Sequence, residues 1–317
     1  MVNLDILPRS KNLRKIKCDT DPKTRVKSII DEYARVNKVN PNRIKFSFLP
    51  DEDDKDTKRP VRIALKNEQT LEQNGLDFSK SDSLAVYAKD VGPQIDWRTV
   101  YFIEYLGPII LQSLIYFAWY DATNNTWTQK FSYIMCSLHY LKREYETLFI
   151  HSFSSDTMPL KHLFRNSGHY WILNGLLIGI AVYAPQDQYY TGIYKYLFHV
   201  EDRPIEVLFL FAAAWVFCQA SNYYCHLILM NLRPLGSREH KIPYGYFFEY
   251  VSFPNYFFES LGWLVFAIMN NNWASYLFFA VGTATMMMWA AQKHRRYKKE
   301  FGDKYPSDRK AMIPLIF

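Results

Sequence analysis

Two periodicities divide the chain. From Val2 to Leu7 and from Lys15 to Cys18 the side chains alternate in character, and with Pro8, Arg9 and Ser10 at the bend they predict a short hairpin. Thr20, Asp21 and Pro22 then supply a helix start, and Val26, Ile29, Ile30 and Tyr33 recur on one helical face. Strands are predicted again at Arg43 to Leu49 and Val61 to Leu65, split by the acidic loop Asp51 to Asp56, and once more at Ser83 to Lys89. Beyond residue 99 the alternation gives way to uncharged runs: Asn166 to Gln186 (21 residues), Val207 to Leu232 (26) and Ser260 to Gln292 (33). A helix needs about 20 apolar residues to cross a bilayer core of roughly 30 Å, so each run is a spanning candidate. Thr99 to Tyr120, Phe131 to His151 and Tyr246 to Asn270 read the same way more weakly, the last parted from the final span by Asn270, Asn271 and Asn272. The pattern predicts a multi-span α-helical membrane protein of six transmembrane helices, give or take one. Trp119, Trp127, Trp171, Trp263 and Trp273 fall near the span ends, as an aromatic belt would.

Composition sharpens this division. The mean hydropathy of −0.22 suits a soluble protein, yet 36 of the first 98 residues are charged against 33 of the remaining 219. A large soluble helical core competes as an explanation, but buried soluble helices rarely stay uncharged for so long. With 49% hydrophobic residues, 12 Gly and four scattered Cys, the chain is not disordered, collagen-like or a disulfide scaffold. Cys18, Cys136, Cys218 and Cys225 suggest neither a metal site nor a disulfide. The first 30 residues lack the apolar stretch of a cleavable signal peptide, which places the amino-terminal part in the cytosol. The basic tail from Lys293 to Lys310 favours the same side, and both ends on one face require an even number of spans. The net charge of +7 is explained by this orientation and by an anionic cofactor better than by nucleic acid.

Polar side chains inside a membrane are costly and are functional candidates by default. Glu104 opens the first span, where the plain alternative is a solvated interfacial carboxylate, and His139-Tyr140 precedes the basic pair Lys142-Arg143, where the alternative is an interfacial anchor. Asn222, His226 and Arg233 are spaced by four and seven, so one face of an otherwise apolar helix carries all three. Arg233 suits a bidentate phosphate clamp or, in the plain case, snorkels at a span end. Glu249, Ser252, Asn255, Tyr256 and Glu259 form a second polar stripe, with Pro254 predicted to kink it. The tail Lys293-His294-Arg295-Arg296-Tyr297 is rich in groups that suit phosphates and an adenine face. No GxGxxG follows a strand, so a dinucleotide would not be held by a Rossmann fold.

Two resemblances follow from these residues. The order β-β-α-β-β-β, with the run Thr70-Leu71-Glu72 and Leu76 before the closing strand, resembles a ubiquitin-like β-grasp domain, a docking or folding module without catalytic residues. The series Leu138-His139-Tyr140, Asn222 to Arg233, Glu249 to Tyr256, Lys293 to Tyr297 and the closing Arg309-Lys310-Ala311-Met312-Ile313-Pro314 resembles the steroid 5α-reductase superfamily over essentially the whole chain. Within it, the amino-terminal domain and the run Lys142 to Pro159 are similar to the very-long-chain trans-2-enoyl-CoA reductase branch of the endoplasmic reticulum. The division implied is a cytosolic ubiquitin-like domain over 1–92 and a membrane catalytic domain with a basic cytosolic tail over 93–317.

That resemblance implies reduction of the 2,3 double bond of long-chain and very-long-chain enoyl-CoA by NADPH, the last step of each fatty-acid elongation cycle. It implies as partners an acyl-CoA substrate, membrane lipid and the other elongation enzymes: a condensing enzyme, a ketoacyl reductase and a dehydratase. By the same likeness Asn222, His226, Arg233, Asn255, His294 and Tyr297 would line the cofactor site, Tyr256 would supply a proton, and Glu104 with Tyr140 would hold the substrate carbonyl. His226 stands where the steroid branch usually has Asp, and Tyr256 where it often has Phe, which favours the enoyl-CoA branch. A steroid or polyprenol reductase, a membrane methyltransferase using S-adenosylmethionine, and a non-catalytic membrane anchor are the alternatives; the anchor leaves both polar stripes unexplained.

Overall fold

The computed structural model describes residues 2–49, 62–76, 78, 83–121, 125–151, 157–186, 190–232 and 241–317. The chain divides into two compact units, Met1–Asp96 with Thr157–Lys161, and Trp97–Asp156 with His162–Phe317. The acidic loop Asp51 to Asp56 and Arg233 lie outside the described residues.

In the first unit β1 (Val2–Pro8), β2 (Ile16–Thr20), α1 (Val26–Asn37), β3 (Ile44–Phe48), β4 (Ile63–Ala64) and β5 (Ser83–Asp90) follow one another. The sheet order is β2-β1-β5-β3-β4. The hairpin pairs Val2 with Thr20 and Ile6 with Ile16, while β1 runs parallel to β5, with Asn3 opposite Ser83. Period-2 alternation sends Leu4, Ile6, Ile44, Phe46, Val86 and Ala88 to one face, where they meet Val26, Ile30 and Tyr33 of α1. The helix begins later than its sequence signal: Asp21 Oδ1 accepts from the Lys23 N–H at 2.8 Å, forming a side-chain turn first. At the end of β5, Asp90 accepts from Arg43 Nη2 at 2.6 Å, Asn12 Nδ2 at 2.6 Å and the Gly92 N–H at 2.8 Å. The Arg43 hydrogen bond holds this carboxyl below the usual carboxylate range. A short ribbon of β6 (Gln94–Asp96) and β7 (Thr157–Pro159) completes the unit.

The second unit is helical. It contains α2 (Trp97–Ala118), α3 (Trp127–Phe149), α4 (Lys161–Gly168) running through a π-helical stretch (His169–Ile178) into α5 (Gly179–Tyr183), α6 (Gly192–Leu197), α7 (Ile205–Asn231), α8 (Pro254–Asn270) and α9 (Trp273–Phe301). Among the described residues, three helical segments are long and apolar enough to cross a membrane: Trp97–Ala118, Ile205–Asn231 and Trp273–Lys304. The other expected spans take different forms. Helix α3 carries Lys142, Arg143, Glu144 and Glu146, the Asn166 to Gln186 run becomes the broken helix α4 to α5, and α8 has only 17 residues. Pro254 does not kink a helix as predicted; it is the first residue of α8, where its missing N–H costs nothing. Asn271, at φ 49°, ends α8, and Asn272 caps α9 through Ala274 N at 2.9 Å.

Packing in this unit relies on small residues and buried amides. Gly107 on α2 abuts Trp171 so closely that a Cβ would lie 1.9 Å from the indole nitrogen, which itself donates to Ile103 O at 3.0 Å. Gln112 donates to Asn174 Oδ1 at 2.7 Å and accepts from the Tyr183 hydroxyl at 2.6 Å. Gln129 donates to the carbonyls of Val182 and Ala184 at 2.9 and 2.8 Å. These bonds satisfy carbonyls left open where the helical ladder ends. Trp263 is not part of a belt: it is buried, with its ring 4.8 Å from that of His139.

Candidate active site

A cavity of about 830 Å³ lies within the second unit. One wall is polar and comes from four helices: Glu104 on α2, Arg143 on α3, Asn222 and His226 on α7, and Asn255, Tyr256 and Glu259 on α8. Lys293, Arg296 and Tyr297 of α9 and Arg165 and Asn166 of α4 extend it. Phe253, Phe278, Phe279, Met286 and Trp289 supply apolar lining to the same cavity. Spacing explains the polar wall: Asn222 and His226 are one turn apart on α7, and Asn255, Tyr256 and Glu259 occupy the first turns of α8.

A fully buried carboxylate organises this wall. Glu146 accepts a hydrogen bond from Arg143 Nη1 at 2.7 Å, and its other oxygen lies 3.1 Å from Lys142 Nζ and 3.0 Å from His226 Nδ1. The Lys142 contact is an ion pair, and the His226 contact is a close approach of ring nitrogen and carboxylate; neither makes a hydrogen bond to this oxygen. Arg143 also donates to the Tyr105 hydroxyl at 2.7 Å. Lys142 donates to Asn222 Oδ1, and Asn222 Nδ2 donates to Asn255 O at 2.8 Å. Asn255 Nδ2 lies 3.5 Å from His226 Nε2. Asn222, His226 and Asn255 are thus brought together and held by Glu146, which sequence spacing did not single out. The signal available was an acid three and four residues beyond Arg143 and Lys142 in an apolar helix.

Glu146, His151 and His226 each offer a ligand atom within 4.8 Å of the others. A metal ion there would face the Lys142 and Arg143 cations already bound to the same carboxylate, so the arrangement is an ion-pair network. A second network lies beside it: His139 Nε2 is 3.2 Å from Glu259 Oε1, and His139 Nδ1 is 3.1 Å from Gln219 Oε1.

The remaining predicted residues divide. Tyr256 lies on the cavity wall, its hydroxyl accepting a hydrogen bond from Lys293 Nζ at 2.8 Å. Tyr297 also lines the cavity, its ring 5.8 Å from Phe253. Glu104 lines it with Oε1 buried and unpartnered. Tyr140 is not among the lining residues; its ring sits against Tyr105, Tyr170 and Trp263, and its buried hydroxyl makes no hydrogen bond. Among the described residues Glu104 Oε1 and the Tyr140 hydroxyl, expected together to hold the substrate carbonyl, share no hydrogen bond, and only Glu104 lines this cavity. His294 lines a smaller cavity of about 290 Å³ instead. Its Nδ1 lies 2.6 Å from Ser252 Oγ, and Ser252 N donates to Lys310 O at 2.8 Å, so His294 fastens the segment around Lys310.

Comparison with known proteins places these residues in a family context. The family described as 3-oxo-5-alpha-steroid 4-dehydrogenase matches residues 156–317, a stretch that includes Asn222, His226, Asn255, Tyr256 and Tyr297. A candidate enoyl reductase of Schizosaccharomyces pombe is 40% identical over 292 residues, covering 90% of this chain and 89% of its own. The very-long-chain enoyl-CoA reductase of Dictyostelium discoideum is 38% identical over 270 residues, covering 81% and 85%. A candidate very-long-chain enoyl-CoA reductase of Caenorhabditis elegans is 34% identical over 270 residues, covering 81% and 82%.

Proposed function

The chain belongs to the 3-oxo-5-alpha-steroid 4-dehydrogenase family, with enoyl-CoA reductases among its relatives, and from that premise we propose that it reduces the trans-2,3 double bond of long-chain and very-long-chain enoyl-CoA with NADPH. The observation that carries this assignment is Tyr256, which lines a cavity with both polar and apolar lining residues and whose hydroxyl accepts from Lys293. The apolar lining suits an acyl chain.

The polar lining fits a dinucleotide. Glu104 Oε1, Asn255 Oδ1 and Glu259 Oε2 are buried acceptors without hydrogen-bond partners on residues that line the cavity, and they suit carboxamide and hydroxyl donors. Arg143, Arg165, Lys241 and Arg296 line the same space and suit phosphates. Asn222, His226, Asn255 and Tyr297 would hold the cofactor, which when bound supplies a hydride to C3. Reduction at C3 places charge on the thioester oxygen and on C2. Tyr256 then gives its hydroxyl proton to C2, and the cations around Arg143 favour the developing negative charge. The apolar lining excludes water.

Several wider features belong to the same proposal. The parallel pairing of β1 with β5 and the crossing of α1 over one sheet face support a ubiquitin-like β-grasp domain over 1–92, with the catalytic domain over 93–317. Six spans in the endoplasmic reticulum membrane with both termini cytosolic, and a place as the closing step of elongation beside the other enzymes of that cycle, accompany the enoyl-CoA assignment.

NADPH oxidation by the detergent-solubilised protein, with a long-chain trans-2-enoyl-CoA in one arm and a steroid enone in the other, tests the assignment. Oxidation with the enoyl-CoA is expected, with kcat falling by about 10²- to 10⁴-fold in Tyr256→Phe. Oxidation with the enone alone would move the chain to a steroid substrate, and a Tyr256→Phe enzyme of parent rate would remove the proton-donor role.

A further inference from the structure

We propose that Lys293 is the positioning residue that holds the Tyr256 hydroxyl on the cavity wall and returns a proton to it after each transfer; this rests on Tyr256 being the proton donor. Lys293 Nζ donates to the Tyr256 hydroxyl at 2.8 Å, across from α9 to the first turn of α8. Its ammonium also lies 5.2 Å from the centre of the Tyr256 ring and 5.6 Å from that of Phe253, two rings stacked 5.6 Å apart. Among the described residues no carboxylate pairs with Lys293. A lysine would ordinarily spend its hydrogen bonds on carboxylates or water, so a phenol as its side-chain partner is a specific placement.

Position gives the pair a proton route. Tyr256 is half-buried, whereas Lys293 is exposed and opens the basic run to Lys299. A bilayer core would exclude that run, so the ammonium sits where water reaches it. With the hydride supplied to C3, the electron pair released from the double bond takes the proton of Tyr256: the O–H bond breaks as the C2–H bond forms. A phenolate remains, and the positive charge 2.8 Å away stabilises it. One N–H proton of Lys293 then passes to the phenolate oxygen, and the amine recovers its proton from water. The product leaves with the cofactor's hydride and one proton added, the cofactor leaves oxidised, and neither side chain is changed.

The test compares Lys293→Met, Lys293→Arg, Tyr256→Phe and the double variant in the full-length, detergent-solubilised protein, with NADPH and a long-chain trans-2-enoyl-CoA. Lys293→Met should lower kcat by about 10²-fold with KM for both substrates little changed, and should raise the solvent deuterium isotope effect on kcat, because proton return becomes slow. NADPH binding without enoyl-CoA, followed by cofactor fluorescence, should persist and shows that the fold is intact. Lys293→Arg keeps the positive charge and the hydrogen bond but holds its protons too tightly to return one, so it should keep both KM values without recovering the rate, and Lys293→Met should cost nothing further in a Tyr256→Phe background. A Lys293→Met loss confined to NADPH affinity would overturn the proposal by making Lys293 a phosphate contact, as would equal losses with and without Tyr256. Parent activity in Tyr256→Phe alone would remove the donor assignment itself, and the role of Lys293 with it.

Discussion

Among the described residues of the first unit the buried core is apolar or aromatic, from Leu4 and Ile6 to Phe46 and Val86, with the Asp90 carboxylate buried at its edge, whereas the second unit buries Glu104, Gln112, Gln129, His139, Glu146, Asn174, Asn222 and His226. The outer surfaces invert the same way. Leu114, Phe117, Phe209 and Leu210 of the second unit are 61 to 71% exposed, while Val36 and Ile63 are the large exposed hydrophobics of the first. One chain thus follows two solvents. In water, burial of apolar surface drives folding and polar groups stay outside. Against lipid tails there is no such drive, so a polar interior is retained where its members satisfy one another and where they serve a cavity.

The sharpest way to break that contrast is to remove one charge from each unit. Glu146→Gln leaves Lys142, Arg143 and His226 facing one another without their carboxylate, and should cost about 3–5 kcal/mol, as uncompensated buried charges do. Glu32→Gln breaks an exposed pair with Arg35 and should change nothing measurable. Thermal midpoints of the detergent-solubilised protein decide the matter; equal midpoints would mean that the buried carboxylate carries no such weight. The complementary pair is apolar. Leu4→Ala should destabilise the first unit by about 2–5 kcal/mol, while Leu114→Ala, 63% exposed on α2, should leave the second nearly unchanged. Hydrogen exchange resolved by unit separates the two.

Smaller effects test packing and charge within one unit. Gly107→Ala should cost about 1–3 kcal/mol, because its Cβ meets the Trp171 ring and the ring must move; an unchanged midpoint would show that Trp171 yields freely. Asp90 has its carboxyl held low by Arg43. Its contribution is therefore present above the ordinary carboxylate range and is lost as pH falls through the lowered folded value. Asp90→Asn should flatten the acid limb of the first unit's stability profile, read by hydrogen exchange of β3 and β5, and an unaltered limb would assign acid sensitivity to other groups.

Local pattern accounts for much of this molecule. The positions of β1, β2, β3 and β5, the run of α7 and the break at Asn271 and Asn272 follow from alternation, uncharged length and turn chemistry. The polar stripe of Asn222 and His226 was also visible, because residues four apart share a helix face whatever surrounds them. Pro254 was misjudged for a related reason: a proline in an apolar run marks either a kink or a first turn, and the sequence does not say which.

What the sequence by itself determined is the division into a strand-rich, charged part and a helical, apolar one, together with the residues that share each local face. Tertiary structure alone decided which faces meet. Glu146 became the hub of Lys142, Arg143 and His226, Lys293 reached Tyr256, His294 turned to Ser252, and Tyr140 packed against Tyr105, Tyr170 and Trp263. The reason is geometric: a period of 3.6 residues fixes directions within one helix, whereas rotation and crossing of neighbouring helices set which long side chains come within 3 Å.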